Sequence, residues 1–494
     1  MAKKPNLLYI HSDQHNPHVT GCYGDQVVQT PNLDRLANQG VVLGNVYCPS
    51  PICVPSRMSM LTGRYPHENE VWTNSHGLDS SIPTFAHAMG AGGYHPVLIG
   101  RMHSVGPDQL HGYTERWVGD HGSNYFGGEG ANHGMLTGTA GPERVSLRKS
   151  GIGQSAYQVH DEEVTAATVD FLNRVGVKKR AGQPSTPFCL SVGYMLPHQP
   201  FVARRKDYVR YEGHVPMPSI SEPYSETLHP YFKWWREKCG IETVSDAEVE
   251  RARTAYWALV DRLDFMIGQI LSALEKNGLA ENTLIVYMSD HGEQVGEHGL
   301  WWKQTFYEPS VRVPAILSWP GHLSEGQRLD QVISSLDLNA TMLDALFCPA
   351  LPQSQGRTLL PLLKGETTAW DNVAFSEFCL DGAGAGGPYP QEGVFQRMVR
   401  REEWKLNYYH GYPVQLFNLK EDPTELHNRA DDAGCLSVVK DLMAEVLAGW
   451  DIDVIARKMA KKRADNHILA QWARQTNPRD SIRWDLRPEM DYLE

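Results

Sequence analysis

No stretch of this 494-residue chain approaches the ~20 consecutive apolar residues that a membrane-spanning helix requires. The N-terminal MAKKPNLLYIHSD carries two lysines, but its apolar run breaks at His11, too early for a signal-peptide core. A soluble, cytoplasmic protein with no membrane partner is therefore expected. Basic charge is also in deficit: 46 Lys and Arg face 58 Asp and Glu, a net charge of −12. That balance argues against a nucleic-acid partner and leaves any anionic substrate to a focused pocket. The cysteines are scattered at positions 22, 48, 53, 189, 239, 348, 379 and 435, without metal-ligand or disulfide-framework spacing. Reduced thiols are expected. There is no internal repeat. With 41% hydrophobic and 21% charged residues the composition is ordinary for a globular chain, which removes the disordered classes. The length suits one large core with a smaller second unit.

What is present is organised around Pro49–Arg64, PSPICVPSRMSMLTGR. Pro55 suits the first turn of a helix and Gly63 suits its stop, so the spacing predicts a helix beginning at Cys53. Cys53 then sits where unpaired N–H groups and the helix dipole favour anions. Arg57 follows one turn later on roughly the same face. On these residues alone, a lone cysteine is a buried small hydrophobe more often than a nucleophile.

The remaining pattern alternates strands and helices. Asn6–Ile10 reads as a buried strand that ends at Asp13-Gln14, and Asp13 there is a site residue or a turn cap. A helix over Thr30–Leu36 precedes a strand at Val41–Val46, and a helix near Ile82–Met89 precedes one at Tyr94–Ile99. That last strand runs into Gly100-Arg101-Met102-His103. Residues 119–155 form a long glycine-rich loop, expected to be a lid or pocket wall. Helical spacing resumes at Asp161–Arg174, and a strand at Pro187–Gly193 leads to Pro197-His198-Gln199-Pro200-Phe201. Residues 211–240 lack clean periodicity and read as a surface excursion. Ser245 to Glu248 is a capping box that opens a long helix to about Asn277. Thr283–Met288 is the strongest strand, and it ends in Ser289-Asp290-His291-Gly292-Glu293. An acid and a histidine at a strand end suit metal ligation without specifying it. Short strands at Phe395–Arg400, Trp404–Tyr409 and Gln415–Asn418 follow. The segment past Ile455 shows no core pattern and reads as a tail over a neighbouring subunit or the parent domain, which allows a homo-oligomer.

Cys53-Val54-Pro55-Ser56-Arg57 with Leu61-Thr62-Gly63-Arg64 resembles the signature of the type I sulfatases of the alkaline phosphatase superfamily. The second stretch, Asp290-His291-Gly292-Glu293 through His298, Lys303 and Arg312-Val313-Pro314, resembles that family's second signature. Gly356–Leu363 resembles the stretch that closes the main domain, and the likeness runs from Asn6 to about Asp432. It implies an α/β fold, a large, mostly parallel mixed sheet flanked by helices, with a small C-terminal α+β subdomain. The expected division is 1–371 for the catalytic domain, 372–455 for the subdomain and 456–494 for the tail. The resemblance further implies that Cys53 is oxidised by a formylglycine-generating enzyme, and that the hydrated aldehyde attacks the sulfur of a sulfate ester. Arg57, Arg101, His103, His198 and Lys303 become catalytic candidates, with Arg57 and Arg101 on sulfate oxygens and His103 taking a diol proton. Asn74 and His298 become substrate-binding candidates. Asp13, Gln14, Asp290 and His291, with residue 53, become ligands of one divalent cation, Ca²⁺ or alternatively Mn²⁺. The substrate implied is a small-molecule or carbohydrate sulfate ester, read by loops 119–155, 211–240 and 381–390. Asp13-Gln14 with Asp290-His291 also resembles the phosphonate monoester hydrolase and choline-sulfatase-like branch, and a non-catalytic binding protein on this scaffold is the remaining rival.

Overall fold

The apolar runs that end in chemistry-bearing residues all become strands of one sheet. The structure is a computed structural model describing residues 4–366, 369–382, 393–480 and 482–494. Among the described residues, the central sheet is built from β1 (Asn6–Asp13), β2 (Val41–Tyr47), β3 (His95–Gly100), β4 (Glu115–Arg116), β5 (Phe188–Pro197), β6 (Thr283–Ser289), β7 (Arg312–Val313), β8 (Ala315–Ser318) and β9 (Gln327–Ser334). Their order is β9-β2-β8-β6-β1-β5-β3-β4, with β7 on β2. Only β7 and β8 run against the rest. β1, β5 and β6 are buried along their whole length. Parallel strands covered on both faces need continuous apolar runs rather than alternation, which is what these segments supply.

The first key helix is α1 (Cys53–Thr62), which ends at Gly63 with φ +70 and the Gly63 N–H on Ser59 O, as the Pro55 and Gly63 spacing predicts. α2 (Ala156–Arg180) is longer than the 161–174 reading, and α3 (Asp246–Lys276) starts at the Ser245–Glu248 capping box. The expected stripe of α3, including Tyr256, Leu259, Leu263, Met266 and Ile270, is buried. α2 and α3 pack on each other and on β5.

A second, antiparallel sheet follows: β10 (Val373–Leu380), β11 (Val394–Arg401), β12 (Trp404–Tyr409) and β13 (Gln415–Asn418). α4 (Leu436–Leu447) covers β11 and β12. Buried Lys405 of β12 ties this sheet to the central one, donating to Glu308 Oε1 at 2.9 Å and pairing with Glu425.

Two readings change. Residues 230–239, expected to be an irregular surface excursion, form a helix, Pro230–Cys239, that buries Tyr231, Phe232 and Trp235. Its apolar residues crowd on adjacent turns, which hides the period. The tail also has a core: α5 (Ile452–Thr476) buries Ile455 and Met459 beside Trp72 and Phe395. Of its two expected placements it takes the one on its own chain, with Lys458 paired to Glu70, Lys462 donating to Gly77 O and Asn466 to Ser75 O. Beyond it, Trp484 N donates to Asp120 O, and Tyr492–Leu493 pairs with Gly151–Gln154. The expected loop at 119–155 is therefore pinned by the chain's last residues. Of the loop at 381–390, Asp381 and Gly382 are described; 383–390 lie outside the described residues. No described helix is long and apolar enough to cross a membrane.

Candidate active site

Five strand ends meet at one edge of the sheet. β1 delivers Asp13 and Gln14, β3 delivers Arg101 and His103, β5 delivers His198, and β6 delivers Asp290 and His291. β2 leads into the turn that starts α1 at Cys53. The carboxyl edge is where sheets of this kind place their ligands. Close approach is required at Gly193, where a Cβ would lie 1.8 Å from Arg101 O. Without a side chain there, Arg101 N donates to Gly193 O at 2.9 Å and the Arg101 segment seats against β5.

Cys53 is the centre of the cluster. Its Sγ lies 3.2 Å from His291 Nε2, 3.4 Å from Lys303 Nζ and 3.7 Å from Asp13 Oδ1. His103 also hydrogen-bonds to it. Asp13, Cys53, Asp290 and His291 each bring a ligand atom within 4.8 Å of the others, all of them buried. The donor set fits a divalent cation, because each histidine and carboxylate is already oriented for it. His291 donates Nδ1–H to Gly292 O at 3.1 Å, which leaves the Nε2 lone pair facing Asp13 and Asp290 at 3.7 Å. Burial pulls His291 below the usual imidazole range, which keeps that lone pair available. Asp290 Oδ1 accepts from the Gln14 and His291 amides at 3.0 and 2.9 Å. Gln14, held at φ +68, turns its side-chain oxygen to Lys303 Nζ.

The guanidinium of Arg57 does something other than expected. All five of its N–H groups are spent inside the protein. Nε donates to Asp290 Oδ2 at 2.8 Å, and Nη2 donates to Asp13 Oδ2 at 3.1 Å and Ser12 O at 3.2 Å. Nη1 donates to His11 Nδ1 at 2.9 Å and Arg101 O at 3.3 Å. A fully buried, saturated fork has no donor left for a sulfate oxygen, so Arg57 positions the two carboxylates instead. Burial alone would lower its pKa, but Asp290 and Asp13 outweigh that and raise it.

Arg101 is similarly occupied, on Asp13 Oδ2 at 2.6 Å, on both Asp120 oxygens at 3.1 and 3.2 Å, and on His103 Nδ1 at 2.8 Å. An arginine can only donate, so His103 Nδ1 accepts and the neutral ring carries its proton on Nε2. That makes His103 a donor toward residue 53 with the cysteine in place. Burial and then Arg101 hold it below the usual imidazole range. Asp13 behaves oppositely. Burial would raise it, but the cations Arg101, Arg57 and Lys303 together hold it well below the carboxylate range. His198 donates Nδ1–H to Gln199 O and accepts from Lys303 Nζ at 2.7 Å through Nε2. Burial and the ammonium beside it push His198 well below its ordinary value, so it is neutral.

The two expected substrate-binding residues are held by other partners in this structure. Asn74 Oδ1 accepts the Val54 N–H at 3.0 Å and so caps α1; the residue is exposed at the rim. His298 stacks on Tyr307 at 3.7 Å and hydrogen-bonds Glu222 at 3.2 Å, and among the described residues none of its hydrogen bonds or ring contacts reaches the cluster.

Several contributors escaped the sequence reading. Gln199 and Glu293 both bind the Gln14 amide, and Glu293 also accepts from Val295 N and Trp302 N at 2.9 and 2.6 Å. Both stand inside motifs already singled out, so their positions were the available signal. Asp120 on Arg101, His11 on Arg57 and Tyr157 edge-on to His198 at 5.9 Å carried no local signal.

The chain's likeness to known proteins agrees with this geometry. The family model described as Sulfatase matches residues 5–346, and the model of the N-sulphoglucosamine sulphohydrolase C-terminal region matches residues 296–449. Choline-sulfatase of Rhizobium meliloti (strain 1021) is 31% identical over 497 residues, covering 94% of this chain and 91% of that protein. Arylsulfatase K of Gallus gallus is 31% identical over 460 residues, covering 87% and 79%. The solved phosphonate monoester hydrolase of Agrobacterium radiobacter shares the fold, with TM-score 0.73 at 22% identity over 92% of this chain and 96% of that one. A cysteine at a helix start, ringed by two carboxylates, histidines and a lysine, thus lies in a chain matched by the family model over most of its length: this protein belongs to the sulfatase family and is a sulfatase-type hydrolase.

Proposed function

We propose that this hydrolase cleaves a sulfate monoester with residue 53 in its formylglycine form and one divalent cation in the site. The observation that carries the reading is the convergence on the Cys53 sulfur of Asp13, His291 and Lys303 within 3.2–3.7 Å, at the buried start of α1. Asp13, Gln14, Asp290 and His291 would hold the cation, with residue 53 beside them. Three oxygen donors favour a hard ion, Ca²⁺, and the imidazole keeps Mn²⁺ as the alternative. When present, the two groups supply Lewis-acid polarisation and, from the hydrated aldehyde, an oxygen nucleophile.

The chain's own residues do the rest. The Lys303 ammonium and the His103 Nε2–H neutralise sulfate oxygens as charge builds. Asp13, ionised at neutral pH, takes the proton of the attacking hydroxyl. Lys303 shares a proton with His198 across 2.7 Å, and this pair delivers it to the leaving alcohol; the pair would then take the proton that the second hydroxyl of residue 53 must lose for the sulfate to leave. Arg57 and Arg101 hold Asp13 and Asp290 in place throughout.

The second reading, phosphonate monoester or phosphodiester hydrolysis, is favoured by Asp13-Gln14 with Asp290-His291. The deciding experiment compares kcat/KM on matched 4-nitrophenyl esters of sulfate, phenyl phosphate and phenylphosphonate. A sulfate monoester offers three non-bridging oxygens, one each for the Lys303 ammonium, the His103 N–H and the cation the site would hold, and the diester offers two, so one partner would go unmatched, a loss of about 1–3 kcal/mol. A preference for sulfate of about fivefold to over a hundredfold is expected. A faster diester or phosphonate rate gives the site to the second reading.

A further inference from the structure

A cavity of about 730 Å³ is walled in part by chain neighbours of Cys53 and His103, and nothing in the chemistry above uses it. Ile52, which precedes Cys53, lines one side with Val105, two residues past His103, and with Asn74 at the cap of α1. Another side belongs to α5, through Arg463, Asn466, His467 and Ala470. The helix is fixed there by Asn466, whose amide donates to Ser75 O at 3.0 Å.

The lining has a definite chemistry. Arg463 is paired with Asp381, so the two charges cancel. His467 Nε2 accepts from the Gln471 side chain at 2.9 Å, which puts its donor proton on Nδ1. Thr73, Ser75 and Asn74 add short polar groups, and Tyr125 and Phe126 add two aromatic rings. An aryl alcohol would leave this many hydrogen-bonding groups unanswered. A quaternary ammonium alcohol would meet Arg463 and find its carboxylate already matched. A sugar offers hydroxyls to the polar groups and a C–H face to the rings. A second cavity of about 550 Å³ shares Val105, Phe126 and Asn466, so the cleft continues past one ring.

We propose that this cavity receives the leaving alcohol, that the alcohol is an uncharged carbohydrate, and that Arg463 and His467 of α5 are its specificity-determining residues. The proposal rests on the sulfatase reading above.

Its test compares kcat/KM on N-acetylglucosamine 6-sulfate, 4-nitrophenyl sulfate and the sulfate ester of a quaternary ammonium alcohol, in the full chain and in Arg463→Met. The wild type should prefer the sugar ester to the ammonium ester. In Arg463→Met the sugar-to-nitrophenyl ratio should fall at least about tenfold, the usual worth of a charge-assisted hydrogen bond. The ammonium-to-nitrophenyl ratio should rise, because the cavity wall loses a positive charge. A wild-type preference for the ammonium ester overturns the proposal, and so does a common factor across all three substrates. If no sulfate ester turns over, the sulfatase reading fails by itself. The cavity is then judged by calorimetric binding of N-acetylglucosamine 6-sulfate to Cys53→Ala, where equal affinity with and without Arg463→Met overturns it.

Discussion

Replacing Arg57 by lysine keeps the charge and removes the fork, which separates two roles that arginine could play in this site. The guanidinium satisfies five acceptors: Asp290, Asp13, His11 and the carbonyls of Ser12 and Arg101. An ammonium has three protons on one atom and cannot span two carboxylates on different strand ends. At least two buried acceptors lose their partners, at about 1–3 kcal/mol each, so Arg57→Lys should cost roughly 2–6 kcal/mol. That is a large part of a typical folding free energy of about 5–15 kcal/mol. Arg57→Met should be worse than the lysine variant, because breaking a buried ion pair from one side costs about 3–5 kcal/mol. The assays are the urea midpoint, the calcium and manganese content of the purified variant, and the split of KM against kcat. A lower midpoint, weaker metal retention and reduced kcat are expected, with KM and inhibition by inorganic sulfate little changed. A variant with native stability and metal content but a raised KM would refute the reasoning and put Arg57 on the substrate.

Two further outcomes follow from other parts of the molecule. Gly193→Ala drives a Cβ to 1.8 Å from the Arg101 carbonyl, so β5 and the Arg101 segment must separate; kcat should fall by at least about tenfold, and a variant of native activity would show the close approach to be dispensable. His76, buried and lowered to about 4 by desolvation and then by Lys462, accepts the Trp72 N–H through Nδ1 and so must stay neutral. Its folded value lies below the ordinary 6.5, so the stability it contributes is whole above pH 6.5 and is lost as pH falls through about 4. His76→Gln should flatten the acid limb of the stability profile by up to about 3 kcal/mol over that window, and an unchanged slope there would exclude His76 as its source.

Much of the site was legible because it is local. Pro55, Cys53 and Gly63 state the start and stop of α1 within one short stretch, and the structure places Cys53 at that start. Asp13, Asp290 and His291 were visible because uniformly buried strands leave unbroken apolar runs, and the first polar residues after them mark the sheet edge. Local signals of that kind are written by backbone geometry and burial, and neighbours in sequence share both.

The sequence by itself therefore determined the site-bearing strands, the edge where they deliver their side chains and the cysteine at the helix start. What each delivered group binds was decided by the tertiary structure. Gln14 meets Gln199 and Glu293 across 185 and 279 residues, and Lys303 meets Gln14 across 289. Arg57 reads as an anion binder from its spacing, yet 233 residues further on Asp290 takes its Nε, and the fork closes inward. α5 shows the same limit in a helix. It buries Ile455, Met459 and Ala473 out of 25 residues, too narrow a stripe to register as periodicity. Only the assembled surface of the catalytic unit, where Trp72 and the 73–78 loop wait for it, gives that stripe a partner and the cavity its wall.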